Sequence, residues 1–187
     1  MLKYLSTFLI FLFAVSMIAA IAYMQGFTSF TFAWVLNFML MMGVSSIMQT
    51  FKPGLNAKYF DVKGWETDGK VYKWLGVHAF RKLLVWIGWE KLHKAVNPVK
   101  KDLQALNKLE YNTQQSEFGH LVIFFIVLAF FVGVALREGI GQSLWLIFLN
   151  VLLNLYPILV QRYNRPRLQR AIQVWEKLPS HPQKALR

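Results

Sequence analysis

Glu117 and His120 are the pair of residues in this chain best suited to moving a proton. Three apart, they share one face of a helix. A carboxylate beside an imidazole holds the ring in one tautomer and raises its basicity, which is what a general base requires. Two other readings fit the same spacing: an ion pair at a helix start, where Glu favours the positive end of the dipole, or part of a Glu-x-x-His metal site of the kind found in helical bundles. A second group is Asn150, Asn154, Gln161, Asn164 and Arg165. At 3.6 residues per turn all five fall within an arc of about 100°. On a membrane helix such an arc faces other helices or a water-filled pocket, and Asn150 and Asn154 also suit interhelical hydrogen bonding. Pro157 lacks an N–H and so frees the Leu153 carbonyl as an extra acceptor. Arg162, Arg165 and Arg167 call for anions. Asp68, His78, His93 and His181 are weaker candidates. The chain has no cysteine, so thiolate nucleophiles, disulfides and cysteine metal sites are excluded. It contains no Gly-rich phosphate loop, Gly-x-Ser-x-Gly elbow or His-Glu-x-x-His motif.

The elements that position these residues follow from where charge is missing. Of the 187 residues 56% are apolar and only 16% charged, and the charges avoid four long stretches. Each stretch is close to the roughly 20 residues needed to cross a bilayer. The sequence therefore predicts an all-α integral membrane protein of one domain, with transmembrane helices at about 3–24, 30–48, 118–136 and 143–161. The first is longer than the roughly 7–15 residues of a signal-peptide core and is read as a retained helix. The second follows a short break at Gln25-Gly26, so the two form an antiparallel hairpin. The third and fourth are joined by the polar tip Arg137-Glu138-Gly139. Charge and Pro166 are expected to end the fourth.

The segment 51–117 differs, with twelve Lys or Arg against seven Asp or Glu. From Val71 the residues Tyr72, Leu75, Gly76, Ala79, Leu83, Trp86 and Ile87 make one apolar stripe. Trp65, Trp74, Trp86 and Trp89 suit a headgroup layer. Together they predict an interfacial amphipathic helix between transmembrane helices two and three. Asn97-Pro98 is expected to open a further helix, with Val99, Leu103 and Leu106 as its stripe. Asn112 and Gln115 fit a capping box at the start of the third span.

Orientation follows from Lys and Arg in short loops. Residues 25–29 carry none and 137–142 carry Arg137 alone, while the tail 162–187 carries seven. Segment 51–117, the basic tail and both termini are thus expected in the cytoplasm, with the chain multi-pass in the cell membrane. Glu117 and His120 are then expected at a depth similar to Gln161–Arg165. The formal charge of +12 suits anionic headgroups or a phosphorylated co-substrate; nucleic acid is not expected as a partner of so apolar a chain.

The run Gln161-Arg162-Tyr163-Asn164-Arg165-Pro166-Arg167-Leu168, preceded by Asn154-x-Tyr156-Pro157, resembles the C-terminal signature of the glycosyl-4,4′-diaponeurosporenoate acyltransferase family. Glu66-x-x-Gly69-Lys70 before a Trp-rich basic stretch, and Glu117-x-x-His120, match it as well. The resemblance covers roughly the last 130 residues. It implies a membrane acyltransferase that moves a fatty acyl group from an acyl-CoA-like donor to a hydroxyl of a lipidic acceptor, such as a carotenoid glycoside. In that reading Glu117, His120 and Asn154 are catalytic. Glu66, Gln161, Arg162, Tyr163, Asn164, Arg165 and Arg167 bind substrate. Asn154, Tyr163 or Asn164 would stabilise an oxyanion. No metal or resident cofactor is expected, and acyl-CoA serves as co-substrate. A metal-dependent lipid hydrolase and a non-catalytic lipid-binding or assembly protein are the alternatives.

The Lys and Arg asymmetry puts Lys63 and Arg170 on one, cytoplasmic, side. Cysteines introduced at both positions are expected to resist an impermeant thiol reagent added to intact cells; labelling of either from outside would reverse the orientation.

Overall fold

The computed structural model describes residues 2–55, 57–88 and 102–177. These residues are helical, with turns and no strand among them. In order they form α1 (Leu2–Gln25), α2 (Phe30–Phe51), α3 (Lys70–Trp74), α4 (Val77–Trp86), α5 (Leu103–Glu138), α6 (Leu144–Asn150) and α7 (Tyr156–Lys177), with a π turn at Val151–Leu155 joining the last two. Four helical stretches are long and apolar enough to cross a membrane: α1, α2, α5, and the run Gly141–Lys177 that contains α6 and α7. The chain divides into two compact units, one of Met1–Gly54 with Glu117–Ile158, the other of Leu55–Ser116 with Leu159–Arg187.

The first unit packs α1, α2 and the apolar parts of α5 and α6. Gly26, at φ +74°, ends α1. Ser29 then opens α2 by accepting from the Phe32 N–H at 3.0 Å, which satisfies one of the helix's orphan donors. The hairpin is tied at its open end by hydroxyls: Thr7 and Thr50 lie 2.7 Å apart, and Ser46 donates to Thr7. The core is Phe32, Ala33, Leu36, Ile123, Val127, Val134, Leu146 and Leu149. Only 11% of the α1 span is buried, and Leu5, Phe8, Phe11, Leu12 and Phe13 are all more than half exposed. So much outward-facing hydrocarbon is costly in water and normal in lipid.

In the second unit Tyr72, Val77 and Tyr163 pack with Leu159 and Val160. The stripe beginning at Val71 is not one helix. Gly76, at φ +80°, separates α3 from α4, since glycine adopts this left-handed conformation without the Cβ penalty. Trp65, Trp74 and Trp86 are exposed, at 59%, 87% and 84%. Trp89, His93 and the Asn97-Pro98-Val99 helix start lie outside the described residues, as does His181.

Two helix boundaries differ from those the sequence predicts. Asn112 and Gln115 do not open a helix; they sit inside α5, which runs unbroken for 36 residues. No Gly or Pro lies between Leu103 and Phe118, and extending an existing helix is far easier than nucleating another. Its start is capped instead by Asp102, whose Oδ1 accepts from the Ala105 N–H at 2.6 Å. Pro166 likewise does not end the fourth span, because α7 continues through it to Lys177. A helix-interior proline costs about 3 kcal/mol. Tyr163 and Arg165 before it and Ile172 after it are all buried, which holds both sides of the interruption in place.

Candidate active site

In the first unit three amides and one imidazole form a continuous network. Asn37 Nδ2 donates to the Ala33 carbonyl at 2.8 Å, and Asn150 Nδ2 donates to the Phe124 carbonyl at 3.0 Å. Backbone carbonyls only accept, so these two bonds fix which end of each amide is nitrogen. The Oδ1 atoms of Asn37 and Asn150 are thereby turned to Asn154, whose Nδ2 donates to them at 2.6 and 2.9 Å. Asn154 has only two N–H groups, and both are used. Its Oδ1 then faces His120 Nδ1 at 3.3 Å. An amide oxygen cannot donate, so Nδ1 carries the hydrogen. Two backbone carbonyls therefore set the tautomer of a histidine through three side chains. Asn37, Asn150 and Asn154 are each 0% exposed, an environment in which an unpaired amide is expensive.

Pro157 has no N–H to offer the Leu153 carbonyl. The π turn at Val151–Leu155 precedes it. A π turn holds an extra residue, so the helical arc drawn at 3.6 residues per turn does not run unchanged from Asn150 to Gln161. The members of that arc are used in different sets. Asn150 and Asn154 join Asn37 and His120, whereas Gln161 donates to Ser116 at 3.3 Å. Glu117 is fully buried, one turn before His120 on α5.

The second unit holds a charged lock. Glu66, 2% exposed, accepts from the Lys63 N–H at 2.7 Å, from the Tyr72 hydroxyl, and from Arg162 Nη1 at 3.4 Å. Arg162 also donates to the Tyr59 carbonyl and stacks on the Tyr59 ring at 4.5 Å. Arg165, completely buried, donates to the Phe60 carbonyl at 3.2 Å. Arg167 donates to the Tyr163 carbonyl and lies 3.6 Å over the Tyr163 ring; the hydroxyl of that tyrosine sits 3.2 Å from His78 Nε2. Gly69, at φ +67°, lies against the same pair: a Cβ there would come within 2.9 Å of both Arg167 Nη2 and Tyr163 Cε2. Buried charges need such partners, and the sequence supplies them from two segments about a hundred residues apart.

The candidate residues are thus distributed as follows. His120 and Asn154 are in contact. Glu66, Arg162, Tyr163, Arg165 and Arg167 build one interlocked layer, with Arg162 and Arg165 turned inward onto carbonyls and Glu66. Asn164 is half-buried on the same helix. Among the described residues no three His, Asp or Glu side chains converge as a metal site would need. Sequence reasoning did not single out Asn37. A single amide between Phe30 and Met48 carries no spacing signal, and its partner is 117 positions away.

Residues 56–174 match a family model described as glycosyl-4,4′-diaponeurosporenoate acyltransferase. The chain belongs to this acyltransferase family. The match takes in both halves of the charged lock and both His120 and Asn154, and the stretches of the second unit that carried the resemblance, Glu66–Lys70 and Gln161–Leu168, are the ones that touch. No curated protein matches the chain, and no solved structure does.

Asn154→Leu keeps the side chain's size but leaves two amide oxygens and the Nδ1 hydrogen without partners. A buried group left unsatisfied costs about 1–3 kcal/mol. The variant is therefore expected to lower the thermal unfolding midpoint of the detergent-solubilised protein. An unchanged midpoint would show that the amides are not coupled.

Proposed function

We propose that this family member is a membrane O-acyltransferase with His120 as its general base. The observation that carries the reading is the amide network. A histidine with Nδ1–H held by a fixed acceptor presents Nε2 as the basic nitrogen. Three membrane-buried asparagines committed to one ring orientation are more than helix packing needs.

In the proposed reaction Nε2 takes the proton of an acceptor hydroxyl as its oxygen attacks the acyl carbonyl carbon. The tetrahedral intermediate collapses with cleavage of the acyl–sulfur bond of an acyl-CoA-like donor. The departing thiolate recovers the proton from Nε2, leaving an ester and a free thiol. Asn154 is a positioning residue in this scheme, because both its N–H groups are committed and none remains for an oxyanion. Glu117, buried on the same helical face, supports the base electrostatically. The acceptor is a lipid hydroxyl, and the family's name points to a carotenoid glycoside. The Lys and Arg distribution supports a reaction at the cytoplasmic leaflet of the cell membrane with both termini on that side, and the exposed Trp side chains around α3 and α4 suit a headgroup layer.

General bases contribute about 10²–10⁴-fold. His120→Ala is expected to lower the initial rate of acyl transfer by at least about a hundredfold, measured where the variant is still folded, since loss of the ring also takes a partner from the buried Asn154 Oδ1 and lowers the unfolding midpoint. Glu117→Gln is expected to cost less, since the ring keeps its Asn154 partner. A His120→Ala enzyme within tenfold of wild type would end the assignment.

A further inference from the structure

The second unit contains an open cleft of about 730 Å³ lined by Thr67, Asp68, Lys70, Lys73, Arg167 and Arg170. We propose that this cleft binds the phosphate or diphosphate group of an amphiphile. Its size falls within the roughly 300–1,000 Å³ of ligand sites. Four cations face one carboxylate, and that carboxylate is weakly engaged: Lys70 Nζ and Asp68 Oδ2 are 3.6 Å apart, with both side chains mostly exposed. Such a pair is worth little in water, so Lys70 is available to an anion.

The two arginines are preorganised. Arg170 donates from Nε to the Pro166 carbonyl and from Nη2 to the Thr67 carbonyl, both at 3.2 Å. Those bonds use two of its five N–H groups and hold the planar fork in place. Arg167 is clamped between the Tyr163 ring and Gly69. Fixed guanidinium forks suit tetrahedral phosphate oxygens, and the ordering cost is met before the ligand arrives. Lys70 and Lys73 add mobile point charges from one face of α3, three residues apart. Gathering four like charges at one opening is unfavourable until an anion enters. Thr67 follows Glu66 directly in the chain, and Pro166 lies between Arg165 and Arg167, so both carbonyls that hold Arg170 sit next to residues of the lock.

Under the acyl-transfer reading, on which this step rests for its meaning, the bound group is the phosphate handle of the acyl donor. Binding itself is measurable without transfer. The full chain in maltoside micelles, which carry no phosphate, would be titrated with coenzyme A, with pyrophosphate, and with phosphatidic acid dispersed in the micelle. Lys70→Gln/Lys73→Gln removes two exposed charges and, with them, only the exposed Lys70–Asp68 pair, so the fold is spared; Arg170→Gln is a second, independent variant. Lys108→Gln/Lys177→Gln is the control for net charge, its two positions being exposed and outside the cleft. Binding that weakens at least about tenfold in the cleft variants and not in the control supports the site. Coenzyme A or pyrophosphate binding identifies a soluble source of the phosphate, and phosphatidic acid alone identifies a headgroup. Absence of binding by all three probes, binding that the cleft variants leave within tenfold of wild type, or an equal loss in the control overturns the proposal. Either result leaves the His120 assignment standing, because no turnover is involved.

Discussion

The first unit depends on the double donation from Asn154 Nδ2. Between apolar helices there is no water to take an unpaired amide, so every N–H and C=O placed there must find a protein partner. Asn154 meets that constraint with both hydrogens, to Asn37 and Asn150, which draws α2 and α6 to the same point on the π turn. Its remaining oxygen can only accept, and it faces His120 Nδ1. Helix packing and ring orientation are therefore one set of bonds. The tautomer of His120 is a consequence of satisfying buried amides.

The second unit answers the same constraint with charge. Glu66 is almost fully buried and collects a backbone N–H, a tyrosine hydroxyl and a guanidinium. Each partner offsets part of the desolvation that a lone carboxylate would suffer. Arg162 and Arg165 are absorbed by carbonyls and aromatic rings of the 59–66 segment, while Arg167 and Arg170 reach the cleft. The basic signature thus divides into inward-facing arginines that hold the unit together and outward-facing ones that keep donors for a ligand. Gly69 belongs to this division: only a residue without a Cβ leaves room for Tyr163 and Arg167.

Hydropathy and the placement of charge sufficed to read the four long apolar helices, because lipid imposes a length and forbids charge. Pro157 marked an interruption of the fourth span, since a missing N–H breaks the regular ladder, and the π turn at Val151–Leu155 lies just before it. The interruption at Gly76 and the passage of α7 through Pro166 were not legible. Both depend on what packs around them, and single-residue punctuation describes only the local backbone. Beyond Arg167 itself, the cleft has a signal in the sequence: Lys70 with Lys73, and Arg167 with Arg170, are basic pairs three apart, each on one helix face. What the sequence could not supply was their convergence, which requires the Glu66–Arg162 pairing to be known first.

The orientation of His120 is open to direct observation. Nitrogen-15 NMR of histidine-labelled protein, assigned by the His120→Ala variant and recorded where the ring is neutral, distinguishes a protonated ring nitrogen from a bare one. The amide network requires the hydrogen on Nδ1 and a bare Nε2, and in Asn154→Leu that preference should disappear. A neutral ring protonated on Nε2 in the wild-type protein would contradict the network and remove the base from its proposed place.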